Sequence, residues 1–146
     1  MDRSAIKPSD IRSIFPGTFP GNLGIEPLEI DDSGAVGRLV VDERHLHPGG
    51  YVHGGVWTAL GDTVAAWATF RNIPEGHDFT TIELKLNVFT ASLPGDELTA
   101  RARPLHVGRS TAVIEVGIDR EPAGGGETRL AANLIVTQFV LAPREG

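Results

Sequence analysis

The sequence predicts an α+β domain, one buried helix packed against long antiparallel strands, from three observations. From Gly54 to Phe70, 17 residues carry a single formal charge, Asp62. A helix apolar nearly all round belongs in a core. After it come alternating segments divided by turn chemistry at Pro94-Gly95-Asp96, at His106–Ser110, and at Pro122 with Gly124–Gly126. One early helix followed by such strands is the α+β pattern. Size and composition agree: 146 residues suit one domain, and 40% hydrophobic with 22% charged residues is ordinary globular usage.

Taken in order, residues 1–21 read as an N-terminal arm and residues 22–146 as the domain proper. Ser9 or Asp10 is placed to cap a short helix through Ile11, Ile14 and Phe15, which Pro16, Gly17, Pro20 and Gly21 then break. Leu23–Ile30 forms a first strand, interrupted near Pro27, and Asp31–Gly34 turns the chain into a second strand, Ala35–Val41. The Gly-rich segment after His47 opens the central helix, which ends near Arg71–Asn72, before Pro74. In the next strand Ile82, Leu84, Leu86 and Val88 share one face, with Glu83, Lys85 and Asn87 on the other. By this parity Thr81 lies opposite Ile82 and Thr80 beside it, so period alone does not choose between the two threonines. Strands over Glu97–His106, Thr111–Asp119 and Arg129–Leu141 complete the chain, and Trp57 and Trp67 are assigned to the core.

Several chemistries are excluded. With no cysteine there is no disulfide scaffold, thiolate nucleophile or Cys-bound metal. A net charge of −6 argues against nucleic-acid binding, which needs a basic footprint. No apolar run reaches about 18 residues and no signal-like block follows Met1, so a cytoplasmic protein without membrane contact is expected. His45, His47, His53, His77 and His106 show no compact ligand spacing, so neither a metal nor another cofactor is expected. Neither a phosphate-binding loop nor a Gly-x-Ser-x-Gly elbow occurs.

What remains is Asp62 and the Gly-rich start of its helix. A carboxylate in an apolar helix is costly unless it is hydrogen-bonded, paired or facing a wet cleft. Gly54 and Gly55 sit where the helix begins, and a helix N-terminus offers unpaired N–H groups to an anion or a developing oxyanion. Eight residues separate Gly54 from Asp62, about 12 Å along the axis. One small carbonyl cannot easily meet both within one chain. If both act on one carbon, the second must come from a neighbouring subunit.

The string His47-x6-His53-Gly54-Gly55-x6-Asp62, followed by the strand Thr81–Asn87, resembles the hotdog-fold acyl-CoA thioesterases, nearest to the phenylacetate-degradation group. The resemblance covers roughly residues 22 to 141. It implies a long helix wrapped by an antiparallel sheet, a homodimer with shared sites, and hydrolysis of an aromatic or medium-chain acyl-CoA. Whether two dimers pair into a tetramer stays open. The resemblance also implies Asp62 as base or nucleophile, the Gly54 N–H as oxyanion donor, and Thr81 as the hydroxyl that orients water. His47 falls where the family usually has an Asn amide, and its use as a donor depends on protonation and tautomer. His53 shapes the turn and, with Gly55, is a candidate substrate contact. Arg109, with Arg101 and Arg103, is a candidate for the CoA phosphates. Two other readings stand beside this one. One is a hotdog dehydratase using His47 and Asp62, against which the Gly-Gly entrance counts. The other is a non-catalytic acyl-CoA-binding protein, in which Asp62 would have no purpose.

Overall fold

The structure, a computed structural model, describes residues 2–144. Three α-helices, α1 (Pro8–Ile14), α2 (Phe19–Asn22) and α3 (Gly54–Asn72), accompany six strands. These are β1 (Glu26–Asp31), β2 (Gly34–Val40), β3 (Asp78–Val88), β4 (Glu97–Val107), β5 (Thr111–Glu121) and β6 (Arg129–Leu141). They form one antiparallel sheet in the order β1-β2-β4-β5-β6-β3. The strand that follows α3 in sequence therefore crosses to the far edge of the sheet.

Helix α3 lies along one face of this sheet. Its Leu60, Val64, Ala65 and Ala68 are fully buried, as are Leu98, Ile114, Val116, Ile118, Leu134 and Val136 on the strands beneath. Two glycines permit the close approach. A Cβ on Gly61 would lie 2.5 Å from Leu134, and one on Gly37 would lie 2.7 Å from both Trp67 and Val64.

The register of β3 differs from simple alternation. Thr81 pairs with Gln138 but Glu83 pairs with Thr137, so a bulge inserts Ile82 as an extra residue. Directly opposed residues on antiparallel strands point to the same face. Thr81 therefore shares the helix side with Gln138, as Leu84 and Leu86 do with their partners Val136 and Leu134. Ile82 leaves that side and is 58% exposed. The parity expected from the sequence fails at this one step, and it is the bulge that turns Thr81 inward.

The arm is more ordered than its prolines and glycines imply. Asp10 is not the N-cap of α1: it occupies the first turn and reaches back to accept from the Lys7 N–H at 2.9 Å. Pro20 and Gly21 do not break the chain but sit in α2, where Thr18 caps the first turn and a missing proline N–H costs nothing. Ile6 and Ile11 are buried in the same core as α3. The Arg3 guanidinium lies 4.1 Å over the Phe70 ring, and Arg71 donates to the Arg3 carbonyl at 3.0 Å. Among the described residues, no helix is long and apolar enough to cross a membrane.

Candidate active site

Asp62 projects from the half-buried side of α3 toward β3. The Thr81 hydroxyl donates to Asp62 Oδ1 at 2.8 Å, and Gln138 Nε2 donates to Thr81 Oγ1 at 3.3 Å. This chain of bonds directs the threonine proton at the carboxylate and fixes one of its oxygens. Gln138 is fully buried, and its Oε1 has no partner among the described residues. Sequence reasoning missed Gln138, although a signal existed. Along the helix-facing row of β6, positions 132, 134, 136 and 140 are Ala, Leu, Val and Val, all buried, and Gln138 is the one polar residue among them.

At the start of α3, His53 is the N-cap, and its Nδ1 accepts from the Gly55 N–H at 2.8 Å. The Val56 N–H bonds the His53 carbonyl at 2.9 Å. Of the first three helical N–H groups, that of Gly54 is thus the one left for a ligand. Gly54 is exposed, and a Cβ built on it would meet nothing within 4 Å. The Gly55 amide is committed to His53 and is not a free donor, and a Cβ on Gly55 would lie 3.0 Å from that ring nitrogen.

His47 begins a tight loop closed by its own N–H to the Tyr51 carbonyl and by the Gly50 N–H to the His47 carbonyl, each 2.9 Å. The Gly49 N–H donates to His47 Nδ1 at 2.9 Å, which makes Nδ1 the acceptor and Nε2 the protonated nitrogen. The imidazole therefore presents an N–H, as an amide at that position would. The loop needs its glycines: a Cβ on Gly49 would lie 2.6 Å from the ring, and Gly50 has φ +86°. His47 lines an open depression with Tyr51, Trp57 and the Val88–Ala91 segment that follows β3.

A buried carboxylate supports this loop from behind. Asp96 is 3% exposed and accepts from Leu93 N–H, Ser92 Oγ, Arg120 Nε and Ala123 N–H at 2.6–3.0 Å. Burial alone would raise its pKa, but these hydrogen bonds outweigh burial and hold the carboxyl at about 2. The Ser92 carbonyl in turn accepts from the Val52 N–H at 3.1 Å, which ties the network to the His47–His53 loop.

The structure joins Asp62 with Thr81 directly, and it places His47, His53 and Gly54 together at the other end of the helix. Arg109 stands apart, exposed in the β4–β5 turn. That turn lies at the Thr81 end of the sheet, because Gln138 pairs with both Thr81 and Ala112. Arg101 and Arg103 are exposed two residues apart on β4 and line one depression with Glu29 and Asp31, and Arg103 is paired with Glu115 at 2.8 Å. Among the described residues, no group of three or more His, Cys, Asp or Glu side chains is placed to hold a metal ion.

One long helix on a six-stranded antiparallel sheet, with a carboxylate on the helix and a Gly-rich turn before it, defines a hotdog-fold protein. The thioesterase superfamily model matches residues 49–126, and the chain belongs to that family. It is a thioester hydrolase. It is 33% identical over 99 residues to a 1,4-dihydroxy-2-naphthoyl-CoA hydrolase of Listeria monocytogenes, covering 68% of this chain and 80% of that one. It is 29% identical over 102 residues to the proofreading thioesterase EntH of Cronobacter turicensis, covering 70% and 74%. A mutant of the phenylacetic acid degradation protein PaaI from Thermus thermophilus superposes with TM-score 0.73 at 27% identity, over 83% of this chain and 96% of that one. A thioesterase from Pseudomonas aeruginosa shares the fold, with TM-score 0.85 at 22% identity over 95% and 96% of the chains.

Proposed function

We propose that this protein hydrolyses an aromatic or medium-chain acyl-CoA thioester to the free acid and CoA, working as a homodimer with shared active sites. The observation that carries the reading is the Thr81–Asp62 hydrogen bond, a positioned carboxylate on an otherwise apolar helix. The Gly54 N–H and the His47 Nε2–H polarise the thioester carbonyl and stabilise the oxyanion that forms on it. Asp62 of the facing subunit takes a proton from water as that water attacks, or attacks the carbonyl carbon itself to give an anhydride that water then opens. Thr81 orients the carboxylate or the water. The departing CoA sulfur takes up the proton, so thiol and carboxylic acid are released in equal amounts. The Listeria relative is named a hydrolase and the Cronobacter relative a thioesterase, which supports hydrolysis over hydration of the acyl group.

Distances within the chain support the dimer. Asp62 and Thr81 lie near the start of β3, whereas His47 faces its end at Val88, about 23 Å from Thr81 along the strand. Among the described residues no strand lies beside the outer edge of β3, and Ile82, Val88 and the following Phe89 are 58%, 43% and 58% exposed. Antiparallel pairing of two β3 edges centred near Lys85 would bring Thr81 and Asp62 beside the partner subunit's His47 and Gly54. Two complete sites then form, each from both chains.

The test measures thiol release from a panel of acyl-CoAs. Asp62→Asn should lower turnover at least ~10²-fold while the protein stays folded. Mixing inactive Asp62→Asn and inactive His47→Ala proteins should restore activity, because half of each mixed dimer's sites carry neither change. Demonstrated subunit exchange without recovered activity refutes the shared site, and near-normal turnover by Asp62→Asn removes that carboxylate from the mechanism.

A further inference from the structure

We infer that a pocket between the N-terminal arm and the Asp62 side of α3 receives the acyl group, and that the arm selects which acyl groups fit. The inference rests on the thioesterase reading above. Asp62, Ala66 and Phe70 follow one another at four-residue spacing and so share a stripe of α3. On β3, Phe79 pairs with Val140 and Thr81 with Gln138, both on the helix side. A pocket of about 240 Å³ opens where Ala66, Phe70 and Phe79 meet Ile11, Ile14 and Phe15 of the arm. It begins one helical turn beyond Asp62, about 6 Å away, and two strand residues before Thr81, about 7 Å away. A thioester carbon held at the carboxylate would send the first carbons of its acyl group straight into this space.

The lining decides the chemistry of the occupant. It is almost wholly apolar, and its one charged residue, Asp10, has Oδ2 engaged by the Lys7 N–H. An acyl group bearing its own carboxylate would meet that charge in surroundings that screen it poorly. A cavity of about 150 Å³ lined by apolar side chains is enough to hold benzene. The larger volume here suits an uncharged phenylacyl group or an unbranched chain of comparable length. Five of the nine residues that line it lie before position 16, whereas the family model matches only residues 49–126. Acyl preference is thereby assigned to a part of this chain that the common thioesterase segment does not include. The arm is held in place by the buried Ile6 and Ile11 and by Phe15 against Trp67, ring centroids 5.8 Å apart.

Ile14 is 60% exposed and accepts a larger side chain without repacking the core. Ile14→Trp should therefore lower the ratio of kcat/KM for octanoyl-CoA to that for acetyl-CoA by at least ~10-fold, the scale on which pocket fit discriminates. Ile14→Ala, which only removes atoms, should move the preference toward dodecanoyl-CoA. Phe19→Trp is the control, because Phe19 lies on the same arm, is 67% exposed and does not line the pocket. Octanoyl-CoA affinity is read separately in the Asp62→Asn background, where Ile14→Trp should weaken it by a similar factor. Turnover with the same chain-length ratio in Ile14→Trp as in Phe19→Trp overturns the pocket assignment. Wild-type protein that binds octanoyl-CoA, loses that affinity with Ile14→Trp, and hydrolyses none of the three thioesters overturns the thioesterase reading while supporting the pocket.

Discussion

Asp96 should make the stability of this domain depend on acid in a defined window. Its carboxyl is held at about 2, against an ordinary 3.8, because four donors compensate its burial. The folded state thus favours the charged form. At ~1.36 kcal/mol per pH unit, that preference contributes about 2 kcal/mol near neutral pH. Because the folded pKa is depressed, the contribution is complete above the unfolded pKa of about 4. It falls to roughly half by pH 3 and is lost as pH drops through the folded value near 2. Asp96→Asn keeps the shape but removes the charge, and it leaves Arg120, with only 23% of its side chain exposed, without its carboxylate. The variant should melt about 4–8 °C below wild type at pH 7. Urea titrations of both proteins at pH 7, 3 and 2 give the comparison, and the gap should close as the pH falls. A gap of constant size from pH 7 to pH 2 would show that the ionised carboxylate is not what stabilises this corner.

Three further outcomes are expected. Thr81→Val should lower kcat about 10- to 100-fold, the worth of one hydrogen bond to a charged group, whereas Thr81→Ser should keep most of the activity; equal losses would mean that Thr81 acts by packing. His47→Asn should stay within about tenfold of wild type in kcat/KM, since either side chain supplies one neutral donor, and His47→Ala should lose on the order of 10²-fold. Comparable damage from both would point to proton transfer by the imidazole instead. Gly37→Ala forces a methyl against Trp67 and Val64 and should cost about 1–3 kcal/mol in urea unfolding, so an unchanged midpoint would contradict the close helix–sheet approach.

Much of this architecture is legible from residue pattern because burial imposes it directly. The helix stands out because burying its whole circumference requires apolar residues on every side, which leaves Asp62 conspicuous. Its separation from Gly54, about 12 Å along the helix, is read by counting residues. Thr81 is harder, because alternation assumes an unbroken ladder and nothing in Thr80–Leu84 announces the bulge; the bonding of β6 across the sheet decides which threonine turns inward. Gln138 is uncharged, so a search for catalytic charges passes over it, though its place in an apolar row marks it. The arm misleads for a local reason. Pro20 and Gly21 break helices in the middle but not in a capped first turn, and the burial of Ile6 and Ile11 depends on contacts far along the chain. Asp96 looks like turn chemistry until the 122–126 loop folds over it.

The bulge at Ile82 has a consequence for solubility as well as for the site. A long, flat, unpaired strand edge is a template on which unfolded chains can add without limit, and bulges or charges along an edge discourage this. Here the bulge interrupts the free edge of β3 after Thr81, so the evenly spaced stretch is only Glu83 to Val88, with Glu83, Lys85 and Asn87 along it. Such an edge is long enough for one short, self-complementary pairing and too short and too charged for open-ended strand addition. The residue that turns a threonine toward the carboxylate thus also guards the chain against aggregation.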